Sequence, residues 1–327
     1  MKTITITLKN LFFTSFAVAL LFAGCSKEEA LPGDDGHLPV NFNAGIKTIL
    51  TGVDASRPRT ALDENGQALW KQGDEVGIYM VTTGGTIPDH IASSAENIRY
   101  SVDPTSGALS PASVTSIYYP KTEAVDFIAY YPFSSLLQNS TMDVKVTDQT
   151  TMDKQSALDI LYSDNAKNIR SNKQPVNLEF RHLFGNIKLN IILGDGLIGG
   201  NITKVELSGM PEGCVFALND GSINQTYPPK PDAPLSALKL STATAGANAT
   251  FTAVVVPQEA NTCLNRTITV TVDGSKYMGE IPDKDAFIAN LQCVYPVMVK
   301  RNGLDVGNMT ITDWRQHDNG ADSATQI

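Results

Sequence analysis

Thr267-Ile268-Thr269-Val270-Thr271-Val272-Asp273-Gly274-Ser275-Lys276-Tyr277-Met278 carries the pattern that decides the fold. Apolar and polar residues alternate with a period of two, which is the repeat of a strand with one buried face. Asp-Gly favours the tight type I′ turn, whose twist matches the strands it joins. Folded back at that turn, Val270 lies opposite Tyr277 and the threonines face water. The stretch therefore predicts a β-hairpin.

The same grammar extends in both directions. Asn302-Gly303 predicts a second turn after Val297-Met298-Val299, and Asp220-Gly221 a third. Ile187 to Leu193, Val205 to Leu207 and Phe251 to Val256 read as further strands. Upstream, Val76 to Val81 and Phe127 to Tyr131 are apolar on both faces. Val40, Phe42, Ala44 and Ile46 alternate with Asn41, Asn43 and Gly45, giving one apolar stripe. Helical signals are confined to Ser156 to Tyr162 and Ala286 to Leu291. Many short strands without alternating helices imply an all-β chain of antiparallel β-sandwiches. The polar run from Asn165 to Gln174 places a boundary near Pro175, giving domains over 39–175 and 176–327.

The N-terminus reads as an export signal. Lys2 and Lys9 precede the apolar run Leu11 to Ala23, which falls short of the roughly 20 residues a membrane-spanning helix needs. The run ends in Phe22-Ala23-Gly24-Cys25, where small residues admit a signal peptidase and the thiol can take a diacylglycerol. Residues 1–24 are thus expected to be cleaved, leaving Cys25 as the lipid-bearing terminus. Phe22 is bulkier than the Leu usual at that place. Ser26-Lys27-Glu28-Glu29 resembles the tag that routes lipoproteins to the outer face of the outer membrane. Residues 25–38, rich in Glu, Pro, Gly and Asp, read as a tether.

Composition and spacing exclude several functions. With 327 residues and a net charge of −9, the chain lacks the clustered Lys and Arg that a nucleic-acid groove requires. Besides Cys25 it has Cys214, Cys263 and Cys293, which allow one bridge at most and read as buried thiols. Gly194-Asp195-Gly196-Leu197-Ile198-Gly199 spells a dinucleotide fingerprint but leads into a strand rather than the required helix. His37, His90, His182 and His317 lack metal-ligand spacing. Asp283 and Asp285 read as charged turn residues rather than a carboxylate pair. No cofactor, metal or catalytic set is expected, and the chain is not read as an enzyme.

Three stretches together resemble the fimbrillin family of pilus subunits, the type V pilins. They are Trp70-Lys71-Gln72-Gly73-Asp74-Glu75-Val76-Gly77-Ile78-Tyr79-Met80, then Ile117-Tyr118-Tyr119-Pro120 with Phe127-Ile128-Ala129-Tyr130-Tyr131-Pro132, then Ile311-Thr312-Asp313-Trp314. The resemblance implies two tandem transthyretin-like sandwich domains and a lipidated precursor at the cell surface. It also implies a cut by an arginine-specific surface protease, loss of the first strand, and its replacement by a strand from another fimbrial subunit. Mapped here, the displaced strand carries Val40, Phe42, Ala44 and Ile46. The cut falls after Arg59, because Arg57 is blocked by Pro58. Arg315 to Ile327 is polar and without alternation, a poor donor strand, which favours a tip or accessory role. The alternative reading is a surface glycan-binding lipoprotein in which Tyr118 or Tyr227 stacks on sugars.

Overall fold

The structure is a computed structural model that describes residues 37–47, 70–137, 140–230, 232–240 and 243–314. The signal peptide, Cys25, most of the tether, Arg57, Arg59 and the polar run 315–327 lie outside the described residues.

The first eight strands are β1 (Phe42–Ile46), β2 (Glu75–Thr82), β3 (Ile98–Val102), β4 (Ala108–Pro111), β5 (Val125–Tyr131), β6 (Thr141–Lys145), β7 (Leu161–Ser163) and β8 (Val176–His182). All except β6 close a barrel in the order β1-β4-β3-β2-β5-β7-β8. The ring closes because β1 pairs on both sides, antiparallel with β4 at Phe42↔Leu109 and parallel with β8 from Phe42↔Val176 to Ile46↔Phe180. The expectation of two transthyretin-like sandwiches is thereby overturned. A sheet whose two outer strands share one neighbour has no free edge, so it curls around its own core instead of facing a second sheet.

The remaining strands are β9 (Gly185–Leu193), β10 (Ile202–Ser208), β11 (Gly213–Ala217), β12 (Ile223–Tyr227), β13 (Leu235–Ser236), β14 (Leu238–Lys239), β15 (Ala249–Val255), β16 (Thr267–Val272), β17 (Ser275–Glu280), β18 (Leu291–Lys300), β19 (Gly303–Val306) and β20 (Thr310–Asp313). They build open sheets ordered β13-β10-β16-β17 and β14-β15-β9-β18-β19, with β20 also on β18. β6 joins β11 and β12 in a third. Strands from either side of residue 175 mix: β8 begins at Val176 yet belongs to the barrel, and β6 pairs with β11.

The β16–β17 hairpin has the expected register, with Val270 opposite Tyr277. At the second turn Lys300 pairs with Gly303, so Arg301 and Asn302 occupy the bend and Gly303 already belongs to β19. The helix expected over Ser156 to Tyr162 instead spans Met152–Leu158, where Thr151 caps the N-terminus through its hydroxyl. Tyr162 is drawn into β7 by pairing with Tyr130 and Arg181. Ala286 to Leu291 forms no helix; Phe287 bridges to Gln258 and Asn290 adopts a left-handed φ of 67°.

β2 and β5 are apolar on both faces because both faces are covered. Val76, Ile78, Met80, Phe127 and Ala129 fill the barrel. Tyr79, Val81, Ile128 and Tyr130 project outward into the core shared with β9, β10, β15 and β18. The barrel wall is thus also the floor of the second half.

Candidate functional site at the barrel seam

The seam is where β1 lies between β4 and β8. Val40, Phe42, Ala44 and Ile46 are all buried, between 2% and 5% exposed, while Asn41 stays in water. Phe42 sits edge-on between Tyr100 and Phe127, with ring centroids 5.4 and 5.1 Å away. Such edge-to-face pairs add to the value of the buried area. Ile117 N–H donates to the Tyr100 hydroxyl at 3.0 Å. Burial pushes the Tyr100 and Tyr119 hydroxyls above their ordinary pKa, so the pocket wall stays uncharged.

The family-like stretches converge on this strand. Ile117 and Tyr119 pair with the chain just before β1: Val40 N–H donates to Ile117 O, and Tyr119 N–H to Leu38 O, both at 2.9 Å. Trp70, 2% exposed, packs edge-on against Tyr131 and Phe180 and donates its indole N–H to Ala44 O at 3.3 Å. Asp74 holds that corner by accepting from Lys71 N–H at 2.7 Å and from the Tyr131 hydroxyl at 3.0 Å. These two stretches therefore pack around one strand.

Gly107 and its loop are the part that sequence reasoning did not find. Asp103 accepts from Ser106 and Thr105 N–H at 2.8 and 2.9 Å, and those bonds hold its carboxyl below the usual carboxylate range. The loop so fixed presents Gly107 O to Ala44 N–H at 2.7 Å. Gly107 has a φ of +71°, and a Cβ there would lie 2.5 Å from Ala44 O. Only glycine permits both the conformation and the approach. The sequence signal was no more than Ser-Gly in a turn.

Where β1 ends, Lys47 N–H donates to Phe180 O at 2.6 Å. Asn290 Nδ2 donates to Lys47 O at 3.2 Å, and Asn290 Oδ1 accepts from His182 N–H at 3.0 Å. The His182 ring lies 2.5 Å from Asp159 Oδ1 through Nδ1 and stacks on Trp314 with centroids 4.1 Å apart. The third family-like stretch therefore reaches the same end of the seam.

The other residues singled out in the sequence lie apart from it. Gly194 to Gly199 forms turns, with Leu197 N–H donating to Gly194 O. Asp285 closes a turn by donating its N–H to Pro282 O at 3.1 Å, and its buried carboxylate accepts from the Tyr295 hydroxyl at 3.0 Å. Cys214, Cys263 and Cys293 are free, and burial pushes the Cys214 and Cys293 thiols up to about 12. Among the described residues no group of three or more His, Cys, Asp or Glu is placed to hold a metal ion. Tyr118 is 41% exposed, whereas the Tyr227 hydroxyl is engaged by Asp143 at 3.0 Å and Lys145 lies over its ring.

Residues 59–314 match the model of the family described as fimbrillin-like. The chain belongs to the fimbrillin-like family. Solved structures share its fold. A candidate cell adhesion protein from Bacteroides ovatus is 20% identical, with a TM-score of 0.67 over 86% of this chain and 99% of that one. Another from Bacteroides uniformis is 19% identical, with a TM-score of 0.63 over 84% of this chain and 99% of that one. No curated protein matches this fimbrillin-like chain in sequence.

Proposed function

We propose that the chain is a surface-exposed lipoprotein subunit of a fimbria, anchored in the outer membrane through Cys25 until proteolysis frees it to assemble by strand replacement at the seam. The observation that carries this reading is the position of β1. It closes the barrel between β4 and β8, yet it precedes every other described element. One break in the chain between β1 and Trp70 separates it from the body; freeing any later barrel strand takes two. Arg59 lies in that interval, and an arginine-specific protease is the proposed agent. The vacated groove would expose main-chain groups of β4 and β8 and an apolar floor, which a strand from another subunit can cover. The similar folds assigned to cell adhesion, and the family itself, favour assembly over catalysis.

Within the fibre a tip or accessory place is favoured, because the polar run 315–327 offers no apolar stripe to a neighbour's groove. Arg59→Ala in expressing cells tests the scheme. The variant is expected to accumulate as a folded, lipidated monomer, while wild-type fibres carry chains that begin at Thr60 and label at their ends with immunogold. Fibres that still incorporate the variant with residues 40–46 attached would sink strand replacement, and even labelling along their length would remove the tip assignment.

A further inference from the structure

We propose that Trp70 and Gly107 form a backbone clamp that sets the register of whatever strand fills the seam. The strand it fits runs parallel to β8, has a free N–H at the clamped residue, and carries an aromatic side chain two residues before it. This inference rests on the seam being the site of strand exchange.

The clamp holds both polar groups of one residue. Ala44 N–H donates to Gly107 O at 2.7 Å, and Ala44 O accepts the Trp70 indole N–H at 3.3 Å. Neither contact involves the Ala44 side chain, so the clamp reads backbone position and rejects proline, which lacks the N–H. Both partners stay with the body when β1 departs, since they follow the 48–69 interval. Trp70 is pinned by Tyr131 and Phe180, and the Gly107 loop by Asp103. The donor and acceptor therefore remain aimed at the empty groove. An indole N–H and a carbonyl left buried without partners are unfavourable, so the strand that satisfies both at once is preferred.

Side chains then fix which residue is clamped. The aromatic slot between Tyr100 and Phe127 lies two residues before the clamp, on the same face because strand side chains alternate. The residue two after it, Ile46, is buried beside Phe180, its partner in register. A slip by one residue would turn the apolar stripe to water. A slip by two keeps the stripe inward but puts the aromatic side chain at the clamp and the smaller Val40 in the aromatic slot, which it fills poorly. The partner is thus an extended segment patterned aromatic, any, non-proline, any, aliphatic.

The test uses the full chain with a site-specific protease sequence placed between residues 48 and 69. After cutting, it is mixed with fluorescein-labelled peptides of residues 38–47, and entry is followed by anisotropy. The parent peptide is expected to exchange in. A peptide N-methylated at the Ala44 nitrogen should bind roughly tenfold or more weakly, the change expected for one buried hydrogen bond. Phe42→Ala in the peptide should weaken entry by at least as much. Trp70→Phe in the protein keeps an aromatic ring but removes the N–H, and should weaken the parent peptide while narrowing its advantage over a two-residue-shifted peptide. Should that variant fail to fold, the N-methyl peptide on the unaltered protein still decides. Equal entry of parent, N-methylated and shifted peptides would overturn the clamp while leaving strand exchange intact. Failure of every peptide to enter would overturn both.

Discussion

Phe42 concentrates more of the seam's energetics than any neighbour in β1. Burial of Val, Phe and Ile side chains contributes roughly 1.5–3 kcal/mol each, and Phe42 adds edge contacts with Tyr100 and Phe127. Phe42→Ala is expected to cost about 3–5 kcal/mol in urea unfolding, because the rigid aromatic walls cannot collapse into the gap. A loss under about 1 kcal/mol would mean the slot is not closely packed. At this scale the sequence was partly legible. The alternation of Val40, Phe42, Ala44 and Ile46 marked an inward stripe, and all four are buried. What that stripe would touch was not legible, since Tyr100, Gly107 and Phe180 lie far from it in the chain and carry no local signal of the contact.

Strands were easier to find than the sheets they join. The β16–β17 hairpin was readable to the register because its turn lies within the same dozen residues. Asp273 and Gly274 take φ of 47° and 80°, the left-handed pair that a type I′ turn requires. Gly274→Val should therefore cost about 1–2 kcal/mol by forcing a branched side chain into that region. Because the hairpin is outside the barrel, peptide entry at the seam should be unchanged; a parallel loss of both would show the two elements to be linked. Barrel closure had no comparable signal. It depends on a parallel pairing of β1 with β8, between residues 42–46 and 176–180, and alternation within a strand does not name its neighbour. Hence a sandwich was inferred where a ring exists.

Over the whole molecule, the two halves share a wall. Ile128 and Tyr130 belong to a barrel strand but are buried in the core of the second half, while Phe127 and Ala129 face the barrel interior. Neither core remains sealed if β5 is lost, so both should melt together. Calorimetry is expected to give one unfolding transition, and Ile128→Ala to lower it as a unit, by about 2–5 kcal/mol in stability. Two resolved peaks, with only one moving in the variant, would show that the halves unfold separately. The apolar character of both faces of β2 and β5 was plain in the sequence, yet it is equally consistent with any strand covered on two sides. Only the three-dimensional arrangement says that one side is a barrel and the other a neighbouring sheet.

The seam also has a mechanical direction. The strand in it is gripped along its length on both flanks: Asn41 O accepts from Val176 N–H, Ala44 N–H donates to Gly107 O, and Lys47 N–H donates to Phe180 O. Tension along the strand axis loads these bonds in shear, so they must yield nearly together, and lifetime under load follows the barrier to that concerted rupture. Tension across the axis would open them one at a time. A joint made here resists being drawn lengthwise and gives way to being peeled.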